Sequence, residues 1–321
     1  MRAVIVEQST GPDDLVVKEW PEPGCGDGAV LIDVQFAGVS FPDLLLSRGE
    51  YQLKPDPPFV LGSEAAGVVR EAGEGSGFVP GQRVAALSLG TFAETAVAPG
   101  LMTFPLPDEL SFEQGAGLVM NYHTADFALR VRGELREGES ILIHGAAGGV
   151  GTAGIQVAKA MGARVLAVVS SEDKAQTARQ AGADEVLLTS GDWRQEAKDL
   201  TGGGVDVVLD PVGGERFTDS LRSLTDGGRL LVVGFTEGSI PEVKVNRLLL
   251  RNLSVVGVAW GSYIATRPEA AREIGDRVNE MAVAGKIYPL IGATYPLEQA
   301  ADALRELQQR RVRGKIVLQV R

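Results

Sequence analysis

The sequence predicts an α/β protein in two parts, a β-rich part followed by a doubly wound parallel sheet. Three observations carry this expectation. Residues 1 to about 118 hold short apolar runs broken by Pro/Gly clusters and lack helical periodicity. From Asn121 onward, apolar runs of strand length alternate with helix-patterned segments. Between Ser140 and Met161, an apolar run, a glycine-rich turn and a helix pattern follow one another without interruption.

A chain of 321 residues is too long for one ordinary core, which supports the division into two. Hydrophobic residues at 44% and charged residues at 23% are usual for a globular protein, and no apolar run reaches bilayer length. The start reaches Glu7 too soon for a signal peptide, so a cytoplasmic location is expected. A single cysteine, Cys25, excludes an internal disulfide and any multi-cysteine zinc module. The net charge of −11 repels phosphate backbones and anionic membrane surfaces, so neither nucleic acid nor membrane is an expected partner.

In the first part, Val4–Val6, Leu15–Val17, Ala29–Val34 and Ala65–Val69 read as strands. The clusters Pro21–Gly28 and Pro55–Pro58 punctuate them, as in a barrel-like domain. His123 to Val131 has helical spacing. Six strands are then expected at Ile141–Ile143, Val165–Val169, Glu185–Leu188, Val205–Leu209, Leu230–Val233 and Leu253–Val258. Helix patterns between the first four end at Gly162, Gly182 and Gly202, the residue type expected just past a helix. A helix pattern over Pro268–Ala284 leads into Ile287–Ile291, a further helix over Leu297–Gln309 and a closing strand at Lys315–Val320. This tail is too short for a third domain and is expected to return to the first part. The predicted domains are therefore 1–120 completed by 259–321, and 121–258.

The turn Gly145-Ala146-Ala147-Gly148-Gly149-Val150-Gly151 lies in the strand–turn–helix context of a dinucleotide-binding βαβ unit. Gly148 would admit a pyrophosphate close to the backbone, and Gly151 would let the helix pack closely. Gly149 and Val150 open the helix, whose free amides and partial positive charge suit phosphate. Ala146 replaces the first glycine of the usual pattern. The second strand ends in Val169-Ser170-Ser171, without the acidic residue that binds the ribose hydroxyls of NAD. Ser170, Ser171 and Lys174 could instead hold the 2′-phosphate of NADPH. Ser171 also reads as an N-cap, with Glu172 and Asp173 favouring the helix dipole and Lys174 on the surface. Both readings can hold together, and the missing acid favours NADPH over NADH.

Two segments of the first part, Ala37–Asp43 and Leu61–Gly67, join the glycine turn, Asp210–Gly214 and the Tyr295–Lys315 end in resembling the medium-chain dehydrogenase/reductase superfamily. The His-Gly-Ala-Ala-Gly-Gly-Val-Gly run resembles its quinone oxidoreductase, zeta-crystallin-like branch. The resemblance spans essentially the whole chain. It implies a GroES-like β domain and a Rossmann domain with an active cleft between them. In the zinc alcohol dehydrogenases of the superfamily, a Cys and a His ligate catalytic zinc where this chain has Ser40 and Ser63. Serine hydroxyls are poor zinc ligands, so the resemblance implies metal-free hydride transfer. Acceptors carrying their own electron sink fit that chemistry: quinones, or conjugated enones and enoyl thioesters.

The same resemblance places Ser40, where relatives have Asn, and Tyr51 at the acceptor, against Tyr51 as a plain loop aromatic. It places Thr124, Phe235 and Arg310 at the cofactor, with a helix start and core packing as the plain readings of the first two. Leu45 and Thr189 stand where close quinone reductases carry tyrosines, one near the substrate and the other near the adenine. Asp43 and Glu64 also match family positions and could simply be buried ties. The expected activity is NADPH-dependent quinone reduction. Enoyl or alkenal double-bond reduction, and an NADPH-binding structural or RNA-binding role, are the alternatives. A homodimer joined along the Leu253–Val258 edge strand is also implied.

Overall fold

The computed structural model describes residues 1–321. The chain forms two compact units, Met1–Asn121 with Arg267–Arg321, and Tyr122–Thr266. The first unit begins with β1 (Arg2–Val6), β2 (Leu15–Glu19), β3 (Ala29–Val39), β4 (Phe59–Val60), β5 (Glu64–Ala72), β6 (Arg83–Leu87), β7 (Thr95–Pro99) and β8 (Thr103–Pro105). The second contains β9 (Ser140–His144), β10 (Arg164–Val169), β11 (Glu185–Leu188), β12 (Val205–Asp210), β13 (Leu224–Val232) and β14 (Ser254–Gly257). The chain then returns to the first unit with β15 (Ile291–Pro296) and β16 (Lys315–Gln319).

In the first unit, β2-β1-β4 form a small antiparallel sheet. A seven-stranded sheet runs β15-β16-β3-β5-β6-β8, with β7 also on β3. The long β3 is its spine, pairing with β5, β7 and β16. A β-bulge between Val34 and Phe36 shifts the alternation along β3, so that Val34 and Ala37 both enter a core shared with Leu44, Leu61, Leu304 and Leu318. Each such aliphatic side chain stabilises the fold by about 1.5–3 kcal/mol when fully buried. Val6 and Val4 of β1 reach the same core.

The second unit is a six-stranded parallel sheet in the order β11-β10-β9-β12-β13-β14. The order reverses between β9 and β12, so the loops leaving those strands diverge there, at the carboxyl ends where α/β sheets bind ligands. The strands are continuous apolar runs because both faces are covered, with Leu142, Leu166, Val208 and Leu230 in one core with Phe217 and Trp193. Helices Gly149–Ala160, Glu172–Gln180 and Trp193–Thr201 link the first strands, the last closed by Gly202 in the left-handed region at φ 72°. No helix is long and apolar enough to cross a membrane.

Two segments differ from the sequence expectation, and for a third the pattern gives no element. Residues 259–266, assigned to the first part, lie with the second unit, where the helix Trp260–Thr266 packs Tyr263 on Phe127 (ring centroids 4.8 Å apart) and Trp260 on His123 (5.4 Å). The segment expected to be a plain helix from His123 contains wide π-type turns at Val119–His123 and Phe127–Arg132. The Ile287–Ile291 run, given no element from its pattern, is irregular up to Ile291. Ile287 is buried, and the strand starts only at Ile291, where β15 alternates half-buried and exposed residues.

Candidate functional site

In the second unit, the glycine turn joins β9 to the helix Gly149–Ala160. Gly145 adopts φ 57°, and its turn meets the loop after β12, since a β-carbon at Gly145 would lie 3.1 Å from Val212 Cγ2. A β-carbon at Gly151 would come within 2.2 Å of the Gly145 carbonyl oxygen and 2.7 Å of Ala146 Cα. Gly151 is therefore demanded by the close approach of helix and turn. At Gly148 the same test meets only the Gly145 oxygen, at 3.4 Å. The fold itself does not need glycine there.

Gly148, the N-cap, and Gly149 and Val150 are all partly exposed. The first amide to turn into the helix is that of Thr152, donating to the Gly148 carbonyl at 2.8 Å. The three preceding N–H groups of the helix have no intrahelical acceptor and form a ready anion site. Ala146 is fully buried, and its methyl takes the volume that the usual glycine would leave empty.

At the tip of β10, Lys174 Nζ donates to Ser170 Oγ at 3.2 Å, so the structure joins two of the residues predicted for a 2′-phosphate. Ser171 holds the N-cap position of the helix Glu172–Gln180 by its backbone, but its side chain makes no capping hydrogen bond. Ser170 and Ser171 are exposed. Thr189 follows β11 and donates its backbone N–H to Val169 O at 2.9 Å, which sets it beside the end of β10.

After β12, Asp210 Oδ1 accepts the N–H groups of Val212 and Gly213, both at 2.9 Å, and shapes the Pro211–Gly214 turn. Its other oxygen is buried without a partner, and burial raises its pKa against those two donors. Phe235 is half-buried over this turn, where a β-carbon on Gly213 would touch its ring at 2.9 Å. Thr124 is half-buried in the helical segment before β9. The unit thus gathers the glycine turn, Ser170, Thr189 and Phe235 at the carboxyl ends of its strands, an arrangement that fits a phosphate-bearing dinucleotide. His144, at the end of β9, is fully buried, pairs through Nε2 with Ser220 Oγ at 2.8 Å and is held neutral by burial, its pKa lowered to about 3. It is a structural imidazole.

In the first unit, sheet register builds a buried polar cluster. Ile316 of β16 faces Val39 of β3, which carries Lys315 alongside Ser40. Glu64 of β5 faces Gly38, whose missing side chain makes room for it: a β-carbon there would lie 2.8 Å from Glu64 Cγ and 2.0 Å from Ala116 O. Lys315 Nζ donates to Ser40 Oγ at 2.6 Å and to Glu64 Oε1. Ser40 Oγ in turn donates to Glu64 Oε1 at 3.1 Å, and the Met120 N–H donates to Glu64 Oε2 at 2.9 Å. Beside them, Asp43 Oδ2 accepts the Ser40 N–H at 2.7 Å, and Asp43 Oδ1 pairs with Ser63 Oγ. Exposure is 0% for Asp43 and Glu64, 3% for Lys315, 5% for Ser40 and 9% for Ser63.

Burial pushes the Asp43 carboxyl up to about 7; Ser63, the Ser40 N–H and Lys315 oppose the rise, and Glu64 adds to it. Tyr51 lies half-buried against the same core, and its hydroxyl pKa is raised by burial and then by the charge of Asp43. Tyr51 therefore lies within the electrostatic reach of Asp43. Ser40, expected to present its hydroxyl to an acceptor, gives its one hydrogen to Glu64. Arg310 is exposed just past the helix Ala300–Gln308, at φ 56°, and is not part of this cluster. Sequence reasoning missed Lys315 as a site residue and ranked Asp43 and Glu64 second.

The cluster does not fit zinc. Its two serines are weak ligands, and an ammonium already bonds Ser40 and Glu64. No group of three or more His, Cys, Asp or Glu side chains is arranged to hold a metal ion.

Two family models match the chain: the alcohol dehydrogenase GroES-like domain over residues 26–108 and the zinc-binding dehydrogenase over 149–276. The chain is 36% identical to quinone oxidoreductase-like protein 2 of Rattus norvegicus, with 100% of this chain and 92% of that one covered. A probable oxidoreductase from Mycobacterium abscessus shares 44% identity and a TM-score of 0.91, over 100% of this chain and 99% of that one. The Escherichia coli quinone oxidoreductase complexed with NADPH shares 30% identity and a TM-score of 0.91 over the full length of both. The chain belongs to the medium-chain dehydrogenase/reductase superfamily, in its quinone oxidoreductase-like branch.

Proposed function

We propose that this protein is an NADPH-dependent, zinc-independent reductase of quinone-type acceptors. The observation that carries the reading is the seat of Lys315 on Ser40 and Glu64. Where metal-dependent relatives gather ligands for a Lewis acid, this chain has a fixed ammonium already paired with a carboxylate. An acceptor reduced here must therefore disperse the incoming electron pair itself, as a quinone does. Preference for NADPH is supported by Lys174 on Ser170 at a strand tip without an acid. The Escherichia coli relative is described in complex with NADPH.

The dinucleotide, when bound, supplies the hydride. The residues proposed to hold it are Gly148, Gly149 and Val150 at the phosphates, Ser170, Ser171 and Lys174 at the ribose phosphate, Thr189 near the adenine, and Thr124, Phe235 and Arg310 elsewhere along it. Tyr51 donates to the acceptor oxygen, while Ser40 holds Lys315 and Glu64 in register. A panel of quinones against enones and enoyl thioesters, ranked by kcat/KM with NADPH, tests the reading. Enones or enoyl thioesters turning over a hundredfold better than any quinone would replace it with double-bond reduction.

We also propose a cytoplasmic homodimer joined along β14. That strand is the outer edge of its sheet, and Leu249, Leu250 and Val255 around it are exposed. Light scattering of the wild type and of Leu249→Asp/Leu250→Asp tests this; a monomeric wild type removes it.

A further inference from the structure

We propose that Asp43 stores, and Ser63 delivers, the proton that completes reduction of the acceptor. This inference rests on the reductase reading above and adds the acid that reading lacks. Hydride arrival on a quinone leaves an oxyanion, which needs one proton.

The cluster holds two carboxyls and one ammonium, and the hydrogen bonds divide the acids between two roles. Both oxygens of Glu64 are taken, Oε1 by Lys315 and Ser40 and Oε2 by the Met120 N–H. Lys315 and the Met120 N–H can only donate, so Glu64 is the acid that forms the ion pair with Lys315. Asp43 has no ammonium in contact. Its Oδ2 accepts the Ser40 N–H, which can only donate, and its Oδ1 accepts the Ser63 hydroxyl, which can also accept, so Oδ1 is the oxygen able to carry a proton. Oδ1 faces Ser63 Oγ. When Asp43 is protonated it donates to Ser63 Oγ, and the serine's own hydrogen turns away from the carboxyl. Ser63, at 9%, is the most exposed of the five residues, so of these five it is the one an acceptor beside Tyr51 could reach. The charged and titratable groups acting on Asp43 are Lys315, Glu64 and Tyr51. Its burial keeps the proton in place up to about pH 7.

The step balances as follows. The Ser63 Oγ–H bond breaks as the acceptor O–H bond forms, and the Asp43 Oδ1–H bond breaks as the Ser63 Oγ–H bond is restored. The electron pair of the broken Oδ1–H bond stays on Asp43, which becomes a carboxylate. The two electrons of the reduction come from the hydride, and water returns one proton to Asp43 after product release.

The test has two arms. In the dinucleotide-free protein, infrared difference titration should show a carboxylic acid C=O band that is lost as pH rises through about 7 and is missing in Asp43→Asn. In steady-state kinetics with NADPH and a quinone, wild-type kcat should fall above the same pH. Asp43→Asn and Ser63→Ala should each lower kcat about 100-fold and abolish that break, with the KM for NADPH unchanged. Ser63→Ala keeps the carboxyl, so it carries the test if Asp43→Asn fails to fold. An active wild type whose Asp43→Asn or Ser63→Ala variant keeps its kcat and pH profile overturns the relay alone. A band that survives in Asp43→Asn does the same. A wild type that binds NADPH but reduces neither quinones nor enones overturns the function, and the relay with it.

Discussion

Lys315 Nζ stands 2.6 Å from Ser40 Oγ, tying the first residue of β16 to the residue that follows β3 and caps the helix Phe41–Ser47. The contact spans 275 positions of sequence and is almost wholly buried. Removing the ammonium leaves Glu64 charged and unpaired in the core. Lys315→Met should therefore cost about 3–5 kcal/mol in chemical denaturation. The double variant Lys315→Met/Glu64→Gln should recover most of that loss. Equal stability of Lys315→Met and wild type would show that the pair is not formed.

The two glycines of the dinucleotide turn should separate by substitution. Gly151→Ala forces a β-carbon against the Gly145 carbonyl and should destabilise the protein by about 2–3 kcal/mol. Gly148→Ala meets only an atom at 3.4 Å, so its melting temperature should stay near wild type while NADPH affinity falls about tenfold or more. Fluorescence titration beside thermal unfolding checks both.

Lys174→Ala removes the cation beside Ser170. The KM for NADPH should rise about tenfold or more, the loss of one charge-assisted contact, with the KM for NADH nearly unchanged. Parallel initial-rate measurements with the two cofactors decide it, and equal changes would remove Lys174 from the phosphate site.

Tyr51→Phe keeps the ring in its half-buried place and deletes the hydroxyl. A fall of about 10- to 100-fold in kcat/KM for quinones is expected, with the melting temperature unmoved. Unchanged kinetics would leave Tyr51 a packing residue.

Asp43 also sets a pH dependence of stability. Its carboxyl loses its proton at 3.8 in the unfolded chain and near 7 in the folded one, so the folded state holds more protons across that window and stability falls as pH rises through it. His144 acts in the opposite sense, because the unfolded imidazole takes up a proton at 6.5 and the folded one resists to about 3. Asp43→Asn deletes only the first effect. Its melting temperature relative to wild type should climb from pH 4 to about pH 7 and then level off. A flat difference across that range would mean that the buried carboxyl titrates normally.

Much of the second unit was legible because its strands are uninterrupted apolar runs and its helices end on glycine. Where polar residues interrupt, legibility failed: β13 starts at Leu224, ahead of Thr225-Asp226-Gly227-Gly228, which reads as a turn. The glycine turn, Ser170 and Lys174 were readable from spacing alone. Lys315 was not, since a lysine at the start of a closing strand looks like any solvated charge. Its burial follows from pairing β16 with β3, a long-range register that no local pattern encodes. Asp43 and Glu64 could be matched to family positions, but their separate roles depend on which oxygen meets which donor.

The return of the chain to its first unit has a consequence for biosynthesis. The unit Tyr122–Thr266 is one continuous stretch and can close as soon as it leaves the ribosome. The strands before it cannot, because β16 contributes Ile316 and Leu318 to their core and Lys315 to the charge on Glu64. Nascent chains should therefore acquire their later domain first and hold β3 and β5 open until residues 315–319 emerge. During that interval these hydrophobic strands are exposed to aggregation.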